Sequence, residues 1–543
     1  MKKMLFKLSA IILTMVMVLS CSSEGGKTSD LLGRIPRSAD LVIIGNANTV
    51  LESLGGSFKD SEIQLPSYIT DLTGTGDVDR LNAFLKGSGI DFNACGMFLS
   101  YDAPNPIFVF RVDNQKKFEG VIQENGFVEG DKEGDITLYI CGEIDCCVAL
   151  DNNFGYLCQD NRKAINGLKD AIEEVKDGTY ASTPMGRYIS KGNALGLAFR
   201  MPRGERFAEL EHLPFPLGGV CMYGDLKGDL LSLTCKVVDR DGNDIKDEQF
   251  SKYMDTKARI NPQAMAFLGK DECLALATSM KDVNWDELFD MIGRSVGLSR
   301  RERANLSIVK NYLEMIDGTI AIGLGVTDGL SSFSKIASGD DVLSELSFTL
   351  VVETKDGKGK SLLSDIMGFM EGINIPLRET SDGFTISLES FGTLYAENKG
   401  DILVFSNHAI SSDGECNVVK QVKFSDYIGA AALVLDHKNQ LMQDLFLSGD
   451  IKLVVSSDGT NESKMTLEVS GGEGGVLEKL VRIGLSLYQN SERIMRNLRG
   501  GSYYGYSDYD EIFDDDLVYD DEEVKEDFEW DEEPDVIAPD DEW

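Results

Sequence analysis

Only three of the 543 residues are histidine, and cations are scarce, with 53 Lys and Arg against 91 Asp and Glu. His212, His408 and His437 share no metal-ligand spacing with one another or with cysteine, so metal or His-based triad chemistry has little to build on. A formal charge of −38 repels phosphates, which argues against nucleic acid and anionic head groups as electrostatic partners. Of the three Trp, Trp530 and Trp543 lie near the C-terminus, which argues against a sugar-stacking platform. Ten Cys are too few for a disulfide scaffold and lack zinc-finger spacing. After the first twenty residues no run approaches the roughly 18 apolar residues of a transmembrane helix.

What is present reads as a globular chain, 42% apolar and 27% charged. Its clearest local signal is at the start. Lys2, Lys3 and Lys7 precede an apolar run from Leu8 to Leu19, followed by Val18-Leu19-Ser20-Cys21. An apolar residue at −3, a small one at −1 and Cys at +1 form the bacterial lipobox pattern, with Leu at −2 in place of the usual small residue. Residues 1–20 then read as a signal peptide, Cys21 as the lipidated residue, and 21–33 as a polar tether. Each buried acyl CH₂ contributes about 0.8 kcal/mol, so several chains on Cys21 hold the protein at a membrane. Loss of the three leader lysines takes the charge to −41, so the lipid and not electrostatic attraction does the holding.

The body reads as two repeats, residues 34–258 and 259–490. Strand-like Leu41–Ile44 parallels Cys273–Leu276, and the capping box Thr49–Glu52 parallels Asn284–Glu287. Ile107–Val112 with the helical pattern 115–123 parallels Phe348–Val352 with 361–370. Strand runs in 135–165 parallel those in 384–410, and the hairpin 220–237 parallels 448–469. Helical runs separated by strands in short turns predict an α+β fold of two duplicated halves with mainly antiparallel sheets and packed helices.

The lipobox, the short tether and the entry Ile35-Pro36-Arg37-Ser38-Ala39-Asp40-Leu41-Val42 resemble lipoproteins of uncharacterised function common in the Bacteroidetes. That resemblance implies a cell-envelope location, lipid-anchored at the outer rather than the inner membrane, and carries over no catalytic or binding residues.

Residues 491–543 read as a helix end and an acidic tail. From Asp508 to Trp543 there are 20 Asp or Glu and one Lys, Lys525. Such a block cannot bury enough apolar area to offset its chain entropy, which predicts disorder. Aromatics from Tyr503 to Trp543 interleave with the acids and suit a basic protein partner.

Motifs that resemble catalytic ones lack their frames. Gly293-Arg294-Ser295-Val296-Gly297 matches a nucleophile elbow, which needs a strand before the Ser. Here Trp285–Ile292 reads as an amphipathic helix with Gly293 as its terminator. Asp436-His437 reads as adjacent residues on one strand, pointing to opposite faces. Gly359-Lys360-Ser361 ends like a P-loop, yet Thr354 stands where Gly is required. These readings give no catalytic residues, no metal and no cofactor.

Six cysteines fall into facing pairs when hairpin turns are centred by composition. Asn152-Asn153 as a two-residue turn sets Cys147 opposite Cys158. A turn at Glu143-Ile144 sets Cys141 opposite Cys146, and one centred on Gly228 sets Cys221 opposite Cys235. After export these are candidate disulfides. The functional expectation is a lipid-anchored, non-enzymatic binding or scaffold protein of the envelope with the tail as contact region. The alternative is a surface hydrolase or glycan-handling lipoprotein.

Overall fold

The computed structural model describes residues 27–59, 62–73, 75–101, 103–133, 136–142, 145–202, 217–295, 309–338, 345–388, 392–459, 461–491 and 493–494. Cys21, His212 and the acidic segment 508–543 lie outside the described residues.

Twenty strands form one antiparallel sheet. The first ten are β1 Leu41–Gly45, β2 Ile90–Ser100, β3 Ala103–Val112, β4 Val128–Glu133, β5 Ile136–Cys141, β6 Cys146–Asp151, β7 Phe154–Gln159, β8 Leu195–Arg200, β9 Leu217–Lys227 and β10 Leu230–Asp239. The second ten are β11 Leu274–Ser279, β12 Ile316–Val326, β13 Leu346–Thr354, β14 Leu377–Glu379, β15 Gly383–Leu388, β16 Gly392–Lys399, β17 Ile402–Ser406, β18 Gly429–Leu435, β19 Ile451–Ser457 and β20 Glu462–Val469. The helices that matter here are α1 Lys27–Leu32, α2 Ala47–Ser53, α3 Gln115–Glu124, α4 Arg162–Glu174, α5 Pro184–Ile189, α6 Pro262–Met265, α7 Trp285–Ser295, α8 Lys358–Gly372, α9 Asn417–Gln421 and α10 Val476–Gln489.

The first ten strands pair in the order β4-β5-β6-β7-β3-β2-β1-β8-β9-β10. Adding ten to each number gives the order of the second set, β14-β15-β16-β17-β13-β12-β11-β18-β19-β20. Every pairing in one half thus has its counterpart in the other. The halves join through equivalent strands, β10 with β20, from Leu230 opposite Glu468 to Lys236 opposite Glu462. Two equivalent strands paired antiparallel are related by a local two-fold, as in an isologous dimer interface.

One face of the sheet is covered in each half. Helices α1, α4 and α5 contribute Leu31, Leu168 and Met185 to a core with Val42, Val109 and Tyr156. Helices α6 and α9 contribute Ala264 and Val418 to the equivalent core with Ala275, Ala321 and Val404. Among the described residues the opposite face is covered at its ends and, where the halves join, by α10 over Leu226, Leu231 and Leu467. Helix α3 places Phe118 and Ile122 over Phe110 and Val148, and α8 places Leu362 and Leu363 with Phe384 and Leu403. Helix α10 returns from the second half to the first, packing Val476 with Val50 and Leu226 and donating Leu477 N to Ser53 Oγ at 3.3 Å.

Several local readings change. Asn46, not Thr49, caps α2, accepting from Thr49 N at 3.0 Å. Asn284 does cap α7, accepting from Glu287 N. That helix runs through Gly293 to Ser295, because a helical Gly costs only about 1 kcal/mol and does not by itself end a helix.

Candidate functional site

Residues directly opposite in an antiparallel pair share a face, so a row can be followed from strand to strand. Leu226, Leu231, Leu467, Leu453, Leu433, Leu274, Leu324 and Phe348 are successive partners on β9, β10, β20, β19, β18, β11, β12 and β13. The next row along the strands is Leu195, Gly224, Leu233, Met465, Val455, Ala431, Leu276, Ile322 and Leu350. Seven strand spacings of about 4.8 Å make the first row roughly 34 Å long.

Neither row contains a charged or hydrogen-bonding side chain, yet most of their members are only half-buried. Leu276 is 39% exposed and Val455 40%. An antiparallel sheet with one solvated face normally turns polar residues to that side. At the seam Ser232, Thr234, Lys236, Glu462, Lys464, Thr466 and Glu468 are on the other face, and Ser463, opposite Cys235, is the one polar residue on the strip's side. The strip is contiguous and apolar, and Leu276 and Val455 leave part of it open. It lies between the ends of the sheet that α3 and α8 cover, and both halves contribute to it.

Beside the strip, under α10, is a cavity of 420 Å³ lined by Phe446, Leu447, Val469 and Ile483, with Glu473, Lys479 and Arg482 at polar positions. Lys479 Nζ is held by Asp229 Oδ1 at 2.6 Å and by the Val469 carbonyl at 3.1 Å, an ion pair between the halves. Glu473 is the carboxylate in this lining.

A further polar cluster, in the second half, is buried. Glu272, 1% exposed, accepts from Gly269 N at 2.8 Å and from Thr349 Oγ1 at 2.6 Å. His408 Nε2 stands 3.3 Å from Glu272 Oε1 and 3.1 Å from Thr349 Oγ1. The hydrogen bond to Glu272 raises the His408 pKa above the ordinary imidazole value, against the opposing effect of burial. Glu272 was not singled out in the sequence, and its partners lie 77 and 136 residues away with no local signal.

Asp436 and His437 follow β18 instead of lying on it. His437 Nδ1 sits 2.9 Å from Asp450 Oδ1 in an exposed pair, while Asp436 accepts from Asn417 Nδ2. Ser295 ends a helix and has no strand before it, so the elbow geometry is absent.

Four of the six paired cysteines face one another as the turns imply. Cys141 is opposite Cys146, and Cys147 is opposite Cys158. Asn152 takes φ 54°, which the two-residue turn requires. The third pairing is overturned, because Cys221 faces Lys236 and Cys235 faces Met222. The turn is Gly228-Asp229, with Lys227 opposite Leu230, so the true centre lies half a residue beyond Gly228. A shift of one position in the partner puts the two thiols on opposite faces.

Among the described residues no helix is long and apolar enough to cross a membrane. No family model and no curated protein matches the chain. Among solved structures, crystal form IV of TP0453 is similar at 12% identity and a TM-score of 0.25, covering 38% of this chain and 79% of that one. Crystal form III gives 13% identity and the same TM-score, covering 41% and 85%.

Proposed function

We propose that this is a lipid-anchored, non-enzymatic binding protein of the cell envelope whose ligand is an acyl chain laid on the open apolar rows. The observation that carries the reading is the pair of unbroken apolar rows from β9 to β13, partly open beyond the α10 contacts at Leu226, Leu231 and Leu467. An occupant of that strip must be uncharged along its length, and an acyl chain is. A peptide strand cannot add there, because the backbone groups of these strands already pair with neighbours on both sides. Each CH₂ buried on the strip contributes about 0.8 kcal/mol, so ten of them outweigh the ordering of a single flexible chain.

The lipobox at Cys21 supports the location, since it would tether this surface among lipids, as in the envelope lipoproteins the entry strand resembles. The acidic segment 508–543 is proposed as a separate contact for a basic partner.

The test is titration of protein lacking residues 1–20, with Cys21→Ser, using a fluorescent fatty acid. Binding at micromolar concentration is expected, with at least a tenfold loss in Leu276→Glu/Val455→Glu and retained affinity in Lys464→Glu on the opposite face. Equal affinity in all three proteins, or no binding in any, sinks the proposal.

A further inference from the structure

Cys141, Cys146, Cys147 and Cys158 occupy three successive strands, and the register fixes which can meet. Facing α-carbons in an antiparallel ladder lie about 4.5–5.5 Å apart, inside the 4.4–6.8 Å range that disulfides take. Cys141 is opposite Cys146 and Cys147 opposite Cys158. The pairs belong to different cores. Cys147 and Cys158 are buried with the α1 and α4 side of the sheet, whereas Cys141 and Cys146 pack on the α3 side. Adjacent Cys146 and Cys147 therefore point to opposite faces and cannot be linked without turning a strand over.

We propose that the exported protein carries two disulfides, Cys141–Cys146 and Cys147–Cys158, formed by a dithiol oxidase of the thiol–disulfide exchange class before the cores close. In the second pair Cys147, once deprotonated, attacks first. Its sulfur attacks the oxidase disulfide and releases one oxidase thiolate. Cys158, deprotonated, then attacks the Cys147 sulfur of the mixed disulfide and releases the oxidase's second thiolate. Two protons leave the substrate cysteines and two electrons pass to the oxidase disulfide.

The corresponding positions of the second half pair Ile386 with Leu394 and Tyr395 with Ser406. The same strands thus assemble there with no cysteine at these positions, so the bridges add to a fold that forms without them. This inference is independent of acyl-chain binding.

The experiment compares protein exported with its leader against leaderless protein from a reducing cytosol, each alkylated under denaturing conditions without reductant. Among the nine cysteines other than Cys21, the exported form should show four fewer reactive thiols. Cleavage after Glu143 and after Tyr156, with mass spectrometry of non-reduced peptides, should find Cys141 joined to the peptide holding Cys146 and Cys147, itself joined to Cys158. The exported Cys147→Ser variant should keep Cys141–Cys146 and leave Cys158 alkylated. Equal thiol counts in the two forms, or a Cys146–Cys147 bridge, overturns the proposal. So does a Cys147→Ser protein in which Cys158 is linked to Cys146.

Discussion

At the scale of single residues, Glu272 shows how a buried charge is tolerated when every oxygen is satisfied. A carboxylate inside a core costs several kcal/mol unless paired and hydrogen-bonded, and here Gly269 N, Thr349 and His408 supply the partners. Glycine at 323 leaves room for it, because a Cβ there would lie 1.8 Å from Glu272 Oε2. Gly323→Ala should therefore cost about 2–3 kcal/mol by overpacking, measured as a lowered urea midpoint with an unchanged slope. An unshifted midpoint would show that the carboxylate is not pinned. His408 carries a pH dependence of definite sign. Its folded pKa is raised by Glu272, so its stabilisation is complete below the ordinary imidazole pKa and is lost as pH rises through the raised value. Urea denaturation of wild type and His408→Asn across pH 5 to 9 should give a difference that shrinks with rising pH over that window. A difference that is flat or grows with pH contradicts the assignment. None of this was legible in the sequence, where His408 stood alone and Glu272 looked like one acid among many.

At the scale of elements, short-range signals read well wherever a side chain acts on its own neighbours. Asn152-Asn153 set the β6–β7 register correctly, and Asn284 capped α7. The errors came where two local solutions competed. Asn46 and Thr49 are both cap formers, and the chain entering from β1 turns at Asn46. Gly228 takes φ 56°, but Asp229 shares the turn, which moved every partner on β10 by one residue. Caps make a clean check of this level. Asn161 accepts from Ala164 N at 2.8 Å at the start of α4, whose Leu168 and Ile172 are core residues. Asn161→Ala should destabilise the protein by about 1 kcal/mol, whereas Asn161→Ser should restore most of that in the same urea titration. Equal stability of the three proteins would contradict the capping assignment.

At the scale of the whole molecule, the repeated order of elements was visible in the sequence, and the seam was not. Leu233 and Met465 meet across β10 and β20 with no local feature of either strand announcing the partner. The seam, α10 packed against Val50 and the Lys479–Asp229 pair tie the halves together. Residues 34–490 should consequently unfold in one calorimetric transition, and two separated transitions would show halves that are energetically independent. The seam also makes the apolar strip continuous, because the leucine row passes from Leu231 to Leu467 without a break. Photo-crosslinking with a diazirine-bearing fatty acid, mapped by peptide mass spectrometry, tests that strip most directly. Label is predicted on Leu233, Met465, Val455, Leu276, Leu433 and their neighbours from both halves, competed away by unlabelled fatty acid. Label confined to the helices of the opposite face, or none above a denatured control, would contradict it.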